Sequence, residues 1–183
     1  KKDEPTDDEL RELVIEGFER TGEYQDYLDK YSKHNVKLKD IKIDPTAFVS
    51  TTAKAEVKAE YEGKKNVLVL KKGGNGEFVY TINVPKTGLY NLEFTYFAIA
   101  DKITRDYEFA VYVDGKAPFS AAENLTLKRN WGDKLDEIQT DTIGNELLPE
   151  QVLKPKWLTA DFYEPNGNYN EALYFYLKKG EHQ

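Results

Sequence analysis

The stretch GEFVYTINVPKTGLYNLEFTYFAIA, residues 76–100, decides the fold class. Apolar residues recur at every second position: Phe78, Tyr80, Ile82 and Val84, then Tyr90, Leu92, Phe94 and Tyr96 beyond the turn signal Pro85-Lys86-Thr87-Gly88. Successive side chains of a strand point to opposite faces, so this period predicts two strands, each with one apolar side.

The same reading extends outward. Upstream, IKIDPTAFV (41–49) and AKAEVKAEYEG (53–63) are short extended candidates. NVLVL (66–70) is apolar throughout, as a strand covered on both faces would be. Downstream, DYEFAVYVDG carries Phe109, Val111 and Val113 into the tight-turn signal Asp114-Gly115. NLTLKR, KWLTADFYE and EALYFYLKKG are later strand candidates, and Gly73-Gly74, Asn75-Gly76 and Asn166-Gly167 are further turns. Short strands punctuated this often by Gly, Asn and Asp predict an all-β sandwich or jelly roll over residues 39–183.

Residues 1–38 read as a helical tether. Thr6 and Glu9 form a capping box, and Leu10, Leu13, Val14 and Phe18 recur at helical spacing up to Thr21-Gly22. A second amphipathic segment places Tyr24, Tyr27, Leu28 and Tyr31 on one side.

Composition narrows the function. The net charge is −7 and no basic patch is interleaved with aromatics, which argues against a nucleic-acid partner. No apolar run approaches the roughly 18 residues of a spanning helix, which argues against direct membrane insertion. With no cysteine there is no disulfide framework, thiol nucleophile or cysteine zinc site. The two histidines, His34 and His182, make a histidine-centred triad improbable, and GGNG (73–76) has none of the following residues of a phosphate loop. Among 33 acidic residues chance carboxylate pairs are unavoidable, so their number is no argument for glycosidase chemistry. The expectation is a non-catalytic protein.

The segment KRNWGDKLDEIQTDTIGNELLPEQVLKPKW (128–157) holds both tryptophans and has no steady period. It reads as a long loop, and loops of that length inside a domain are usually functional or disordered. Sugar rings stack on aromatic faces while their hydroxyls seek amides, carboxylates and guanidinium groups. Arg129, Asn130, Trp131, Asp133, Asn145, Gln151 and Trp157 offer those chemistries, and the turn-rich FYEPNGNYNEALY adds Tyr163, Asn168 and Tyr169. These ten are the candidate glycan-binding residues. The competing reading has the tryptophans anchoring the loop on the sheet, with Arg129 paired to an acid, in a scaffold that has no sugar site.

The segment 55–98, with Pro85, Gly88, Tyr90, Tyr96 and Ala98, resembles the opening of galactose-binding-like modules, notably carbohydrate-binding module families 6 and 35. The Val111-x-Val113-Asp114-Gly115 hairpin and the closing Leu177, Gly180 and His182 follow in the order of those modules, although their ligand aromatics sit in short loops. Over about residues 23–183 the chain also resembles a module fused to large extracellular solute-binding lipoproteins of Gram-positive sugar ABC importers. Arg129, Trp131, Asp141, Gly144-Asn145, Pro149, Gln151, Pro155 and Trp157 carry that likeness.

The resemblance implies a jelly roll at the cell surface, in a lipid-anchored parent protein of sugar transport. The expected partners are a glycan or oligosaccharide, from the candidate binding residues, and, from the resemblance, a neighbouring solute-binding domain of the same parent chain. The resemblance also implies a structural Ca2+ held through Glu56, Glu60 and Asp161. The end of the chain, a strand, a Lys-Lys-Gly turn and the start of another strand, reads as a fragment whose last strand follows in the parent or is supplied in trans.

Overall fold

The computed structural model describes residues 23–71, 75–135, 137–163, 167 and 169–183. The helix expected between Thr6 and Gly22, the Gly73-Gly74 turn and Asn166 lie outside these. The described chain is mostly β, built from antiparallel strand pairs after one short N-terminal helix, and it falls into two compact units.

The first unit comprises Lys1–Tyr90, Tyr112–Pro118 and Phe175–Gln183. Its helix, α1, covers 23–31, and the expected tyrosine side is the buried one. Tyr24 is buried, Tyr31 stacks on Tyr176 at 3.9 Å, and the Tyr27 hydroxyl accepts the Tyr176 N–H at 2.6 Å. Burial pushes the Tyr27 hydroxyl up to about 12, against the lowering effect of that N–H.

Strands β1 (Ser50–Thr51) and β4 (Phe78–Val79) pair, as do β2 (Ala55–Tyr61) and β3 (Lys64–Leu70). Strand β5 (Ile82–Val84) pairs with β14 (Gly180–His182), and β6 (Gly88–Asn91) with β13 (Tyr174–Leu177). Val84, Leu89, Phe175 and Leu177 are buried in this unit. A Cβ on Gly88 would lie 2.7 Å from a Leu38 methyl carbon, so a larger residue there would require the Leu38 side chain to shift.

The β2–β3 hairpin turns on Glu62 (φ 46°) and Gly63 (φ 78°), the left-handed pair that matches strand twist in a two-residue turn. Asp114 (φ 51°) and Gly115 (φ 76°) repeat this geometry between Val113 and Lys116, whose two mutual backbone bonds are 2.9 and 3.1 Å long. Around that turn the chain end is clamped. The Asp114 N–H donates to the Gln183 carbonyl at 2.7 Å, and the Asp114 carboxylate meets His182 Nδ1 at 2.8 Å. Nε2 of His182 faces the Lys178 carbonyl at 2.8 Å. Two acceptors facing two ring nitrogens favour the doubly protonated imidazolium.

The second unit comprises Asn91–Val111 and Phe119–Tyr174. Strand β7 (Glu93–Ala98) pairs with β12 (Lys156–Asp161) over six residue pairs, the longest ladder in the unit. Strand β8 (Tyr107–Phe109) pairs with β9 (Leu125–Leu127), and β10 (Trp131–Asp133) with β11 (Gln151–Leu153). Phe162 is 1 % exposed and meets Phe109 at 4.8 Å and Phe94 at 5.6 Å between ring centroids. Ala98, Phe119, Ala122, Leu125, Leu127 and Leu173 are the other buried apolar residues described in this unit.

The structure revises several sequence-based expectations. GEFVYTINVP breaks at Tyr80-Thr81, and LYNLEFTYFAIA breaks at Leu92, so the two long strands are four short ones. IKIDPTAFV is not a strand: Asp44 Oδ1 accepts the Thr46 N–H and hydroxyl and holds a turn there. NVLVL is not covered on both faces, because Val67, Leu68 and Val69 are half-buried and Leu70 is exposed. The presumed loop 128–157 contains the β10–β11 ribbon, which resumes beyond it at the Thr140–Glu146 bridge.

Candidate functional site

The ribbon begins on a clamped base. Arg129 is 7 % exposed; its Nε donates to the Arg105 carbonyl at 2.7 Å and an Nη to the Ile99 carbonyl at 3.0 Å. The guanidinium lies 4.3 Å over the Tyr107 ring and 3.4 Å from an Asp101 oxygen. Beside it the Asp106 carboxylate accepts Lys128 Nζ at 2.8 Å and the Arg129 N–H at 3.0 Å. Burial raises the Asp106 pKa, but the Lys128 bond, the Arg129 N–H and the two positive charges outweigh it and hold the group below its usual range. Asn130 then donates to the Lys154 carbonyl at 2.8 Å and ties the two arms together.

Above this base the strands run in register, Trp131 opposite Leu153, Gly132 opposite Val152 and Asp133 opposite Gln151. Backbone bonds from Lys154 N to Asn130 O (2.9 Å) and from Lys134 N to Glu150 O (2.7 Å) set the phase of the ladder. The Trp131–Leu153 and Asp133–Gln151 pairs are therefore the closely spaced, non-hydrogen-bonded ones, whose side chains approach most nearly. Trp131, Asp133, Gln151 and Leu153 share one face. On it Trp131 is 45 % exposed, and Gln151 Nε2 donates to Asp133 Oδ1. The opposite face carries Lys134, ion-paired to Glu150 at 2.8 Å, and the Lys154 stem, which passes 3.0 Å from where a Gly132 Cβ would stand.

Farther out the register shifts: from Lys134 opposite Glu150, pairing resumes five residues on at Gln139 along one arm and three back at Leu147 along the other. Against this offset lies a groove of 270 Å³, lined by Asp133, Leu135, Glu137, Ile138, Glu146, Leu147, Leu148 and Pro149. Its apolar lining is open: Ile138 is 73 % and Leu148 97 % exposed. The ribbon ends in a turn held by Asp141, whose carboxylate accepts the Asn145 side-chain amide and the Asn145 and Ile143 N–H groups, all at 2.9 Å. The Asn145 bonds, side chain first, lower the Asp141 carboxyl below its ordinary value.

Of the ten candidate glycan-binding residues, the structure therefore gathers Trp131, Asp133 and Gln151 on one face. Arg129 and Asn130 form the base beneath it, and Asn145 is part of the turn at the tip. Trp157 stands on the β7–β12 ladder opposite Phe97, half-buried, with ring centroids 5.4 Å apart at 67°. Tyr163 is exposed and Tyr169 half-buried; Asn168 lies outside the described residues.

The supporting residues Asp101, Asp106 and Tyr107 were not singled out from the sequence, nor were the apolar groove residues Leu135, Ile138, Leu147 and Leu148. The tight-turn pattern Asp141-x-x-Gly144-Asn145 was the available signal that the presumed loop is a hairpin.

For calcium the donor set does not fit as placed. Glu56 lies 3.6 Å from Lys58 Nζ and 3.5 Å from Lys71 Nζ, Glu60 is paired opposite Lys65, and Asp161 accepts the Asn91 amide at 2.9 Å. Calcium takes about six to eight oxygens. Among the described residues no three His, Asp or Glu side chains are grouped to hold a metal ion. No described helix is long and apolar enough to cross a membrane.

No family model, curated protein or solved structure matches the chain.

Proposed function

We propose that this chain is a non-catalytic carbohydrate-binding module with a jelly-roll β-sandwich architecture, and that it binds glycan on the β10–β11 ribbon. The observation that carries the reading is the exposed Trp131 ring on the same face as the Asp133–Gln151 pair. A pyranose stacked on the indole would bring its hydroxyl rim to a carboxylate and an amide one strand repeat away, roughly 7 Å along β10. The clamped base supports the reading too, because a platform that is already ordered loses little further entropy on binding. On this reading, and in line with the sequence resemblance, the chain is a module of a lipid-anchored, cell-surface sugar-uptake protein, beside a solute-binding domain of the same parent chain.

A scaffold module without a sugar site is the second reading. It is favoured by the bare apolar side chains of the groove, which an adjoining protein surface would cover. A glycan array with tryptophan fluorescence separates the two. The binding reading expects a saturable emission change that disappears in Trp131→Ala and persists in Trp157→Phe. Absence of any hit across neutral, basic and acidic glycans refutes it.

A further inference from the structure

We infer that the glycan taken by the Trp131 face is a basic one, an oligomer of amino sugars carrying protonated amines. This rests on the glycan-binding reading above and adds the charge of the ligand. Between Trp131 and Leu153 the sequence has Asp133, Asp136, Glu137, Asp141, Glu146 and Glu150 against the single cation Lys134. Strand alternation then sorts these charges. Lys134 and its partner Glu150 occupy the back of the ribbon, together with the Lys154 stem. The front holds Asp133 beside Trp131 and runs into the groove, where Glu137 and Glu146 join it. At the base, Arg129 is buried and bonded to two backbone carbonyls, and Lys128 is paired with Asp106.

An anionic sugar on this face would meet carboxylates, with the ribbon cation behind it. Like charges facing each other across an interface cost binding energy and exclude that partner, whereas complementary ones favour theirs. An ammonium substituent would meet Asp133 next to an indole face, which itself attracts cations. The aliphatic side chains of the groove would cover the apolar faces of following rings.

The test uses the 183-residue chain and hexamers of β-1,4-linked glucosamine, N-acetylglucosamine and glucuronic acid, titrated calorimetrically at about pH 6, where an alkylamine is protonated. The glucosamine hexamer is expected to bind on the order of tenfold tighter than the N-acetylated one. Raising salt to about 0.5 M should close most of that gap. Asp133→Asn should narrow it about threefold, and Trp131→Ala should abolish binding of both hexamers, with the circular dichroism unchanged. Glu146→Gln, at an exposed groove position, should narrow the gap independently of Asp133. Equal affinity for the two hexamers, or tighter binding of glucuronate, overturns the charge inference and leaves the glycan reading standing. Glucosamine binding that survives Trp131→Ala overturns the inference as well, since charge alone would then hold the ligand. Failure of all three hexamers, with a glycan array also blank, overturns both readings.

Discussion

The two tryptophans of the chain stand in the same unit, each on an antiparallel two-stranded ladder, and meet opposite fates. Trp131 faces Leu153 across a three-pair ladder and leaves nearly half its surface to solvent. Trp157 faces Phe97 across a six-pair ladder, edge to face with its ring, and is half-buried. Residue type and strand context are alike; the cross-strand partner and the length of the ladder differ. A ribbon of two short strands is at best marginally stable by itself. This one is secured by Arg129 and Asn130 at its base, which leaves its front face available for a ligand. The longer ladder lies close in sequence to the Phe94–Phe109–Phe162 cluster and uses its aromatic for packing.

Substitutions at the two ladders should separate packing from recognition. The largest effect is expected for Phe162→Ala, which removes a buried ring from the aromatic cluster and should cost about 3–5 kcal/mol in urea unfolding. A loss below about 1 kcal/mol would show that the cluster is not the core of this unit.

Next comes Arg129→Met. It strips the Arg105 and Ile99 carbonyls and Asp101 of their buried partner, with an expected loss of about 2–4 kcal/mol. Before global unfolding it should raise acrylamide quenching of Trp131, read in a Trp157→Phe background. Unchanged quenching would mean that the clamp does not hold the ribbon.

The tryptophans themselves follow. Trp157→Ala should cost about 2 kcal/mol, whereas Trp131→Ala should stay within about 0.5 kcal/mol. Emission from Trp131 alone should be red-shifted and readily quenched, and that from Trp157 alone blue-shifted. Reversal of either pair of results would break the comparison.

The smallest effect lies in the other unit, at His182. The Asp114 bond, ahead of the opposing desolvation, raises its pKa above the ordinary 6.5, while the Gln183 N–H and the His182 bond lower Asp114 below 3.8. For a histidine with a raised folded pKa, the stabilisation is complete below the unfolded value and is lost as pH rises through the folded one. For Asp114 it is complete above 3.8 and is lost as pH falls through the lowered value. The unfolding free energy from urea titrations should therefore decline as pH rises above about 6.5, by less than about 1 kcal/mol in total because Asp114 is exposed. The decline should vanish in His182→Gln, with the emission of both tryptophans unmoved. A pH dependence that persists in that variant would assign it to another group.

The β class was legible because alternation survives even where the strands are interrupted: Phe78, Tyr80 and Ile82 are half-buried and Val84 is fully buried, while Thr81 and Asn83 are exposed. The breaks at Tyr80 and Leu92 were not legible, since pattern reports which face a residue takes and not where its backbone bonds cease. The ribbon was missed for a related reason. The register shift between its arms, five residues against three, and its mixed acidic and apolar composition erase the period on which strand reading depends. The α1 face was readable from Tyr24, Tyr27, Leu28 and Tyr31 because helical spacing alone puts them together.

What the sequence determined alone was local: the two-residue periodicity, the Asp114-Gly115 turn, the tyrosine face of α1 and the acidity of the segment around Trp131. Each follows from backbone sterics or composition within a few residues. Which tryptophan is packed and which is bare, which face of the ribbon carries the lysine, and whether Arg129 faces a ligand or a pair of carbonyls were decided only by tertiary structure. Those outcomes depend on partners remote in sequence, such as Phe97 for Trp157 and Ile99 for Arg129, and only the folded chain brings them within reach.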